Sequence, residues 1–148
     1  QTEIEKYRSK LSGPLADRID MCIEIQRADY GELEGENTQS TEELRSMVAA
    51  AVKIQEKRFK NRGFSRNSRM SEKDAEEFCN LNKECKRFIG RIYDSFGMSP
   101  RRYNKILKLA RTVADMEGKE EIEEEHLASS FQYTRILTEE RIFSRRQE

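Results

Sequence analysis

The sequence has no tryptophan, two prolines, one histidine and three cysteines. Three cysteines are too few, and odd in number, for a disulfide framework. Five residues separate Cys79 from Cys85, too many for a CxxC pair, and His126 is the one imidazole that could join them. No zinc-ligand set results. Reduced thiols are the simplest reading, and they predict a cytoplasmic protein. Net charge is absent too, because 28 Lys and Arg balance 28 Asp and Glu. Global charge therefore gives no argument for binding nucleic acid or a membrane. No apolar run approaches the roughly 18 residues that a membrane span requires. The opening stretch QTEIEKYRSK lacks the apolar segment of a signal peptide. It also lacks an initiator Met and starts within a helix-like pattern, so the chain is expected to be cut from a longer protein.

What is present is charge and periodicity. Charged residues make up 38% and hydrophobic residues 35%, and the apolar residues recur at helical spacing. That pattern predicts amphipathic helices with thin buried stripes rather than disorder. Thr2 and Glu5 form a capping box for a short helix that Gly13 and Pro14 end. MCIEIQ (21–26) alternates, with Met21, Ile23 and Ile25 on one face, and predicts a strand. One strand makes no sheet, so its partners are expected outside this chain. Residues 27–40 are rich in glycine and polar groups and read as a linker.

Five helices are predicted after the linker. Ser40 and Glu43 cap a helix running to Arg62, with Leu44, Met47, Val48, Ala51, Val52 and Phe59 as its stripe and Gly63 as its stop. Ser71 and Asp74 open a short helix through Cys79. Asn82 caps the next, whose stripe Phe88, Ile89, Ile92, Tyr93 and Phe96 ends at Gly97. Ser99 and Pro100 begin a helix that Gly118 stops. A last helix turns Leu127, Ala128 and Phe131 inward, and the tail after it is loosely held or partly helical. The fold class is an all-α bundle of four or five helices, preceded by a helix, a turn and a lone strand.

No nucleophile–base–orienter set can be assembled, and the sequence contains no GxxxxGK(S/T) phosphate loop. Two basic features remain. Residues 57–69 hold Lys57, Arg58, Lys60, Arg62, Arg66 and Arg69, interleaved with Phe59 and Phe64. Such a patch suits phosphates, and it equally suits a helix C-terminus, whose dipole favours cations. In SPRRYNKILKLAR (99–111), Arg101 and Arg102 stand in the first turn of a helix, where cations are disfavoured. Either an anion is met there, or the arginines pair with surface acids. Arg18 poses the same choice. It lies between Asp17 and Asp20 in SGPLADRID (12–20), as part of an ion pair or displayed to an outside group.

These segments resemble a known family. YRSKLSGPLADRIDMCIEI (7–25) followed by GMSPRRYNKILKLARTVADMEGKEEIEEEHLASSFQY (97–133) is similar to the magnesium-chelatase-type AAA+ ATPases, in particular their ComM-like branch. The likeness runs from about Tyr7 to Tyr133, with Ala16 where a leucine is common and Thr134 before the arginine of the last segment. It implies that residues 1–35 are the end of an AAA+ core and 36–148 the helical lid. It implies that Arg18 is an arginine finger reaching the ATP of a neighbouring subunit. Arg101 is then the sensor-2 residue touching the γ-phosphate in its own subunit, with Arg102 as the alternative. ATP and Mg2+ are implied for the complete protein and none for this piece, which lacks the Walker motifs and is expected to be inactive alone. The implied partners are the core, neighbouring subunits in a homo-oligomeric ring, and DNA, with Lys57, Arg58, Lys60, Arg62, Arg66 and Arg69 as the expected nucleic-acid contact. No membrane partner is expected.

Two other functions compete. A stand-alone helical binding module is suggested by the short helix at 72–79 followed by 83–96, a helix-turn-helix order. The second helix is too apolar to read bases, however, which favours core packing. An independent enzyme would need a catalytic constellation that the sequence does not show.

Overall fold

Ser40 opens the first described helix as the residues around it require. Its hydroxyl accepts the Glu43 amide at 3.2 Å, and the Glu43 carboxylate accepts the Ser40 amide at 2.7 Å. The structure is a computed structural model. It describes residues 18–23, 25 and 39–145, with side chains through Thr134. Five α-helices follow one another: α1 Thr41–Arg58, α2 Glu72–Phe78, α3 Lys83–Ser95, α4 Pro100–Met116 and α5 Glu124–Arg145. A 3-10 turn, Asn67–Arg69, lies between α1 and α2. The described residues are thus an all-α bundle. Thr2, Glu5, Gly13, Pro14 and the linker stretch 27–38 lie outside them.

The N-caps fall where predicted. Ser71 and Asp74 repeat the Ser40–Glu43 box, Asn82 accepts the Cys85 amide at 2.8 Å, and Ser99 accepts the Arg102 amide at 3.3 Å. Hydrogen bonds from the Ser40 amide and then its hydroxyl hold the Glu43 carboxyl below its ordinary value. The Ser71 hydroxyl and then its amide do the same for Asp74. A carboxyl depressed in the folded state stabilises above its unfolded value, and this is lost as pH falls through the folded one. Both caps therefore weaken on acidification. Gly97 and Gly118 carry φ of 53° and 69°, the left-handed turn that ends α3 and α4 with no Cβ penalty.

The central element is α4, which packs on α5, α1, α2 and the 3-10 turn, while α3 packs on α5. Ile106, Leu107 and Ala110 of α4 meet Ile89, Leu127, Phe131, Ile122 and Phe59 in one core. Phe59 stacks edge-on against Phe78 at 5.2 Å and tilted against Phe64 at 4.8 Å.

Three expectations are corrected. First, α1 ends at Arg58, not Arg62. Phe59 turns into the core at 2% exposure, and the Arg62 amide closes a turn on its carbonyl at 2.9 Å. Second, Leu44, Met47 and Val48 do not face the bundle. Residues 41–50 are exposed throughout, and burial of α1 starts at Ala51. Third, residues 21–23 and 25 form no strand. Among the described residues, their backbone tie is the Cys22 amide donating to the Tyr133 carbonyl of α5 at 2.7 Å. Alternation prepares a segment for a sheet, but a strand needs a neighbour to complete its ladder.

His126 caps α5. The Glu123 carbonyl accepts the Leu127 amide, making Glu123 the N-cap. His126, three residues on, accepts the Glu123 amide at Nδ1, 2.9 Å away. The imidazole thus fills the place that Glu or Gln takes in a capping box. Nδ1 acts as acceptor, so Nε2 carries the proton and donates to Glu117 Oε2 at 3.1 Å. The ring is 1% exposed. His126→Ala is expected to destabilise by about 1–3 kcal/mol, the cost of a lost cap on a partly buried amide plus the packing of the buried ring. His126→Gln is expected to recover part of this, since an amide oxygen can accept the same N–H. Urea unfolding followed by circular dichroism reads both; equal losses would refute the capping role.

Candidate functional site

The predicted site residues lie in two neighbourhoods. The first joins the segment around Arg18 to α4. Arg18 is exposed. The carbonyl of the next residue, Ile19, accepts Lys105 Nζ at 2.8 Å, and the Asp20 carboxylate meets the same ammonium at 3.2 Å. Asp20 is thus engaged by α4, and Asp17 lies outside the described residues. Lys105 is one helical turn beyond Arg101, so the two emerge from the same side of α4.

Arg101 and Arg102 stand at the N-terminal turn of α4, which contains no acidic residue. The structure separates them. Arg101 is exposed, whereas Arg102 is buried at 8% exposure. An exposed guanidinium beside the amide end of a helix is placed to meet an anion arriving from solvent.

The second neighbourhood divides the basic segment. Arg58 points inward and grips both carboxylate oxygens of Asp115, with Arg58 Nη1 to Oδ2 at 2.8 Å. Arg62 pairs with Glu77, lies 3.8 Å from Asp74, and covers the Phe78 ring at 5.1 Å. Arg66 meets Glu56 at 3.2 Å and the Ser65 carbonyl at 2.8 Å. Lys57, Lys60 and Arg69 are exposed. The six cations do not form one face: three are bound to acids of the bundle.

Asp115 is the hub of a buried polar network that the sequence reading missed. Besides Arg58 it accepts Arg111 Nε at 3.1 Å and Asn67 Nδ2 at 2.8 Å. Asn67 also donates to Thr112 Oγ1 at 3.0 Å, and its amide donates to Gln55 Oε1 at 3.1 Å. Arg111 extends to the carbonyls of Lys119 and Glu120, each at 2.6 Å, and so fastens the α4–α5 connection. Burial lowers the Arg111 pKa, and Asp115 opposes the shift. One signal was available. Arg111 and Asp115 are an i,i+4 pair flanked by the buried Ala110 and Ala114, so they share the inward face.

Cys79 and Cys85 are buried. Burial pushes the Cys79 thiol up to about 11 and the Cys85 thiol upward as well, so both are weak nucleophiles. Among the described residues no three His, Cys, Asp or Glu side chains converge to hold a metal ion, and no helix is long and apolar enough to cross a membrane. The described arrangement can present cations to an anion. It contains no assembled acid–base or nucleophilic set.

The family model described as magnesium chelatase, subunit ChlI C-terminal, matches residues 37–134. The chain belongs to the magnesium chelatase family. A second model of that family, magnesium chelatase, subunit ChlI, matches residues 1–33. Family relatives include the competence protein ComM of Haemophilus influenzae, 32% identical over 137 residues, which are 91% of this chain and 26% of the relative. The protein YifB of Salmonella typhimurium is 30% identical over 88% of this chain, and YifB of Escherichia coli 29% over 88%. Each of these two alignments also covers 26% of the relative. The chain therefore spans about a quarter of the length of the relatives it matches.

Proposed function

We propose that this chain is the helical lid, with the adjoining end of the core, of a ring-forming AAA+ ATPase of the magnesium chelatase family. In this reading Arg18 serves as arginine finger for a neighbouring subunit's ATP and Arg101 as the sensor-2 residue. The observation that carries it is the exposed Arg101 set against the dipole of α4. A cation is disfavoured there unless an anion is present. Phosphoryl transfer spreads negative charge over the transferring oxygens, and fixed guanidinium donors stabilise that charge. Arginine suits the task because it stays charged and offers a planar fork of donors. The described residues fit phosphate oxygens rather than a metal, so Mg2+ would be held by other parts of the ATPase. As the substrate of the ring we assign DNA, with the exposed Lys57, Lys60 and Arg69 facing its phosphates.

The test compares two neighbours in the complete ATPase. Arg101→Ala is expected to lower kcat/KM for ATP about 10- to 100-fold, the value of one charge-assisted hydrogen bond, with an unchanged melting temperature. Arg102→Ala is expected to reduce stability instead, because that side chain is buried. Normal ATPase in Arg101→Ala would refute the assignment.

A further inference from the structure

We propose that Lys105 is a positioning residue that fastens the Arg18 segment to α4, so that Arg18 and Arg101 move as one body. The inference rests on the reading of both arginines as nucleotide contacts. Lys105 donates to the carbonyl of the residue directly after Arg18 and pairs with the carboxylate of the residue after that. Four residues before it on the same helix stands Arg101. A second tie, from the Cys22 amide to the Tyr133 carbonyl on α5, holds the far end of the segment. The short stretch 19–22 is therefore pinned at both ends to the lid helices.

The chemistry of the lysine fits this task. An ammonium carries three donors and accepts nothing, so one group can satisfy a carbonyl and a carboxylate together. Its stem is mostly covered, with the side chain 14% exposed, while Asp20 is 70% exposed. An ion pair open to water on one side adds little to global stability. What it supplies is placement. A finger contributes only when its guanidinium is held near the productive geometry, and misplacement by about 1 Å costs on the order of 100-fold. A rigid link between finger and sensor also gives nucleotide state a lever. A movement of α4 carries Arg18 with it, as in rigid-body switching.

Two measurements test the proposal. In this chain, Cys22 is half-buried while Cys79 and Cys85 are buried. Thiol labelling at pH 8 therefore reports on the 18–22 segment. Lys105→Met is expected to raise the Cys22 labelling rate severalfold, and Lys105→Arg to keep it near the parent rate. An unchanged rate in Lys105→Met would overturn the tether. In the complete ATPase, Lys105→Met is expected to lower kcat about tenfold with KM for ATP within about twofold, and Lys105→Arg to restore most of it. A purely structural role would instead lower the melting temperature without a kcat–KM split, and that outcome overturns the proposal. Arg18→Ala, assayed in parallel, separates the two levels of inference. If it abolishes hydrolysis while Lys105→Met has full activity, the tether alone falls. If Arg18→Ala is fully active, the finger reading falls, and the Cys22 labelling rate in Lys105→Met decides alone whether the tether stands.

Discussion

Arg18→Ala in the complete protein, if that is the ATPase proposed above, is expected to lower kcat about 1,000-fold or more while leaving nucleotide affinity nearly unchanged. Arginine fingers contribute on the order of 10³–10⁵ in kcat because the guanidinium meets charge that develops in the transition state. The ground-state ATP gains much less from it, so KM moves little. Under the proposed role, in which Arg18 acts on the next subunit, mixing gives a second readout. Arg18→Ala subunits combined with subunits lacking a working Walker A lysine are expected to regain activity at the junctions where an intact finger meets an intact ATP site. Arg18 is exposed, so its removal leaves no buried hole and no folding loss to confuse the result. A kcat within about threefold of the parent, with intact assembly, would remove Arg18 from the mechanism.

Asp115→Ala is expected to be the most damaging single change to the bundle, at about 3–5 kcal/mol. Its carboxylate sits between Arg58 and Arg111, and its side chain is 0% exposed. Removing it leaves two guanidiniums repelling each other in a space closed to most water. It also takes one acceptor from Asn67. Arg58→Met is expected to cost clearly less. It leaves the Arg111–Asp115 pair intact and removes the cation that water already reaches, at 16% side-chain exposure. The order of the two losses is the test, read from urea unfolding at pH 7. An Asp115→Ala cost below about 1 kcal/mol would mean that the network is not a hub of stability. The result also bears on the basic segment. If Asp115→Ala is as costly as expected, Arg58 is accounted for by folding, and Arg58→Met should leave unchanged any DNA binding of the proposed ring.

Much of the bundle was legible in local sequence. Ser40, Ser71, Asn82 and Ser99 all cap helices, and Gly97 and Gly118 end them, because capping depends on residues within one turn of each other. Leu127 and Phe131 were placed inward correctly, since each belongs to a stripe with buried neighbours. Leu44, Met47 and Val48 have the same periodicity and remain exposed. Periodicity states which residues share a face, not what that face meets. His126 drew no capping expectation, yet it is a buried cap on the Glu123 amide whose other ring nitrogen meets Glu117, just past the end of α4.

The candidate site follows the same division. The sequence by itself determined that Arg101 and Arg102 open a helix against its dipole, and that Arg18 follows a Gly–Pro break. Those are local facts of spacing and residue type. Only the tertiary structure decided that Arg101 is exposed and Arg102 buried, and that Arg58 belongs to Asp115. It alone joined Lys105 to Ile19 and Asp20, across 85 and more positions. The physical reason is range. Caps, dipoles and helical periods act over a few residues. The choice among several arginines is made by which acids, carbonyls and rings distant parts of the chain bring within about 3 Å, and no local pattern encodes that choice.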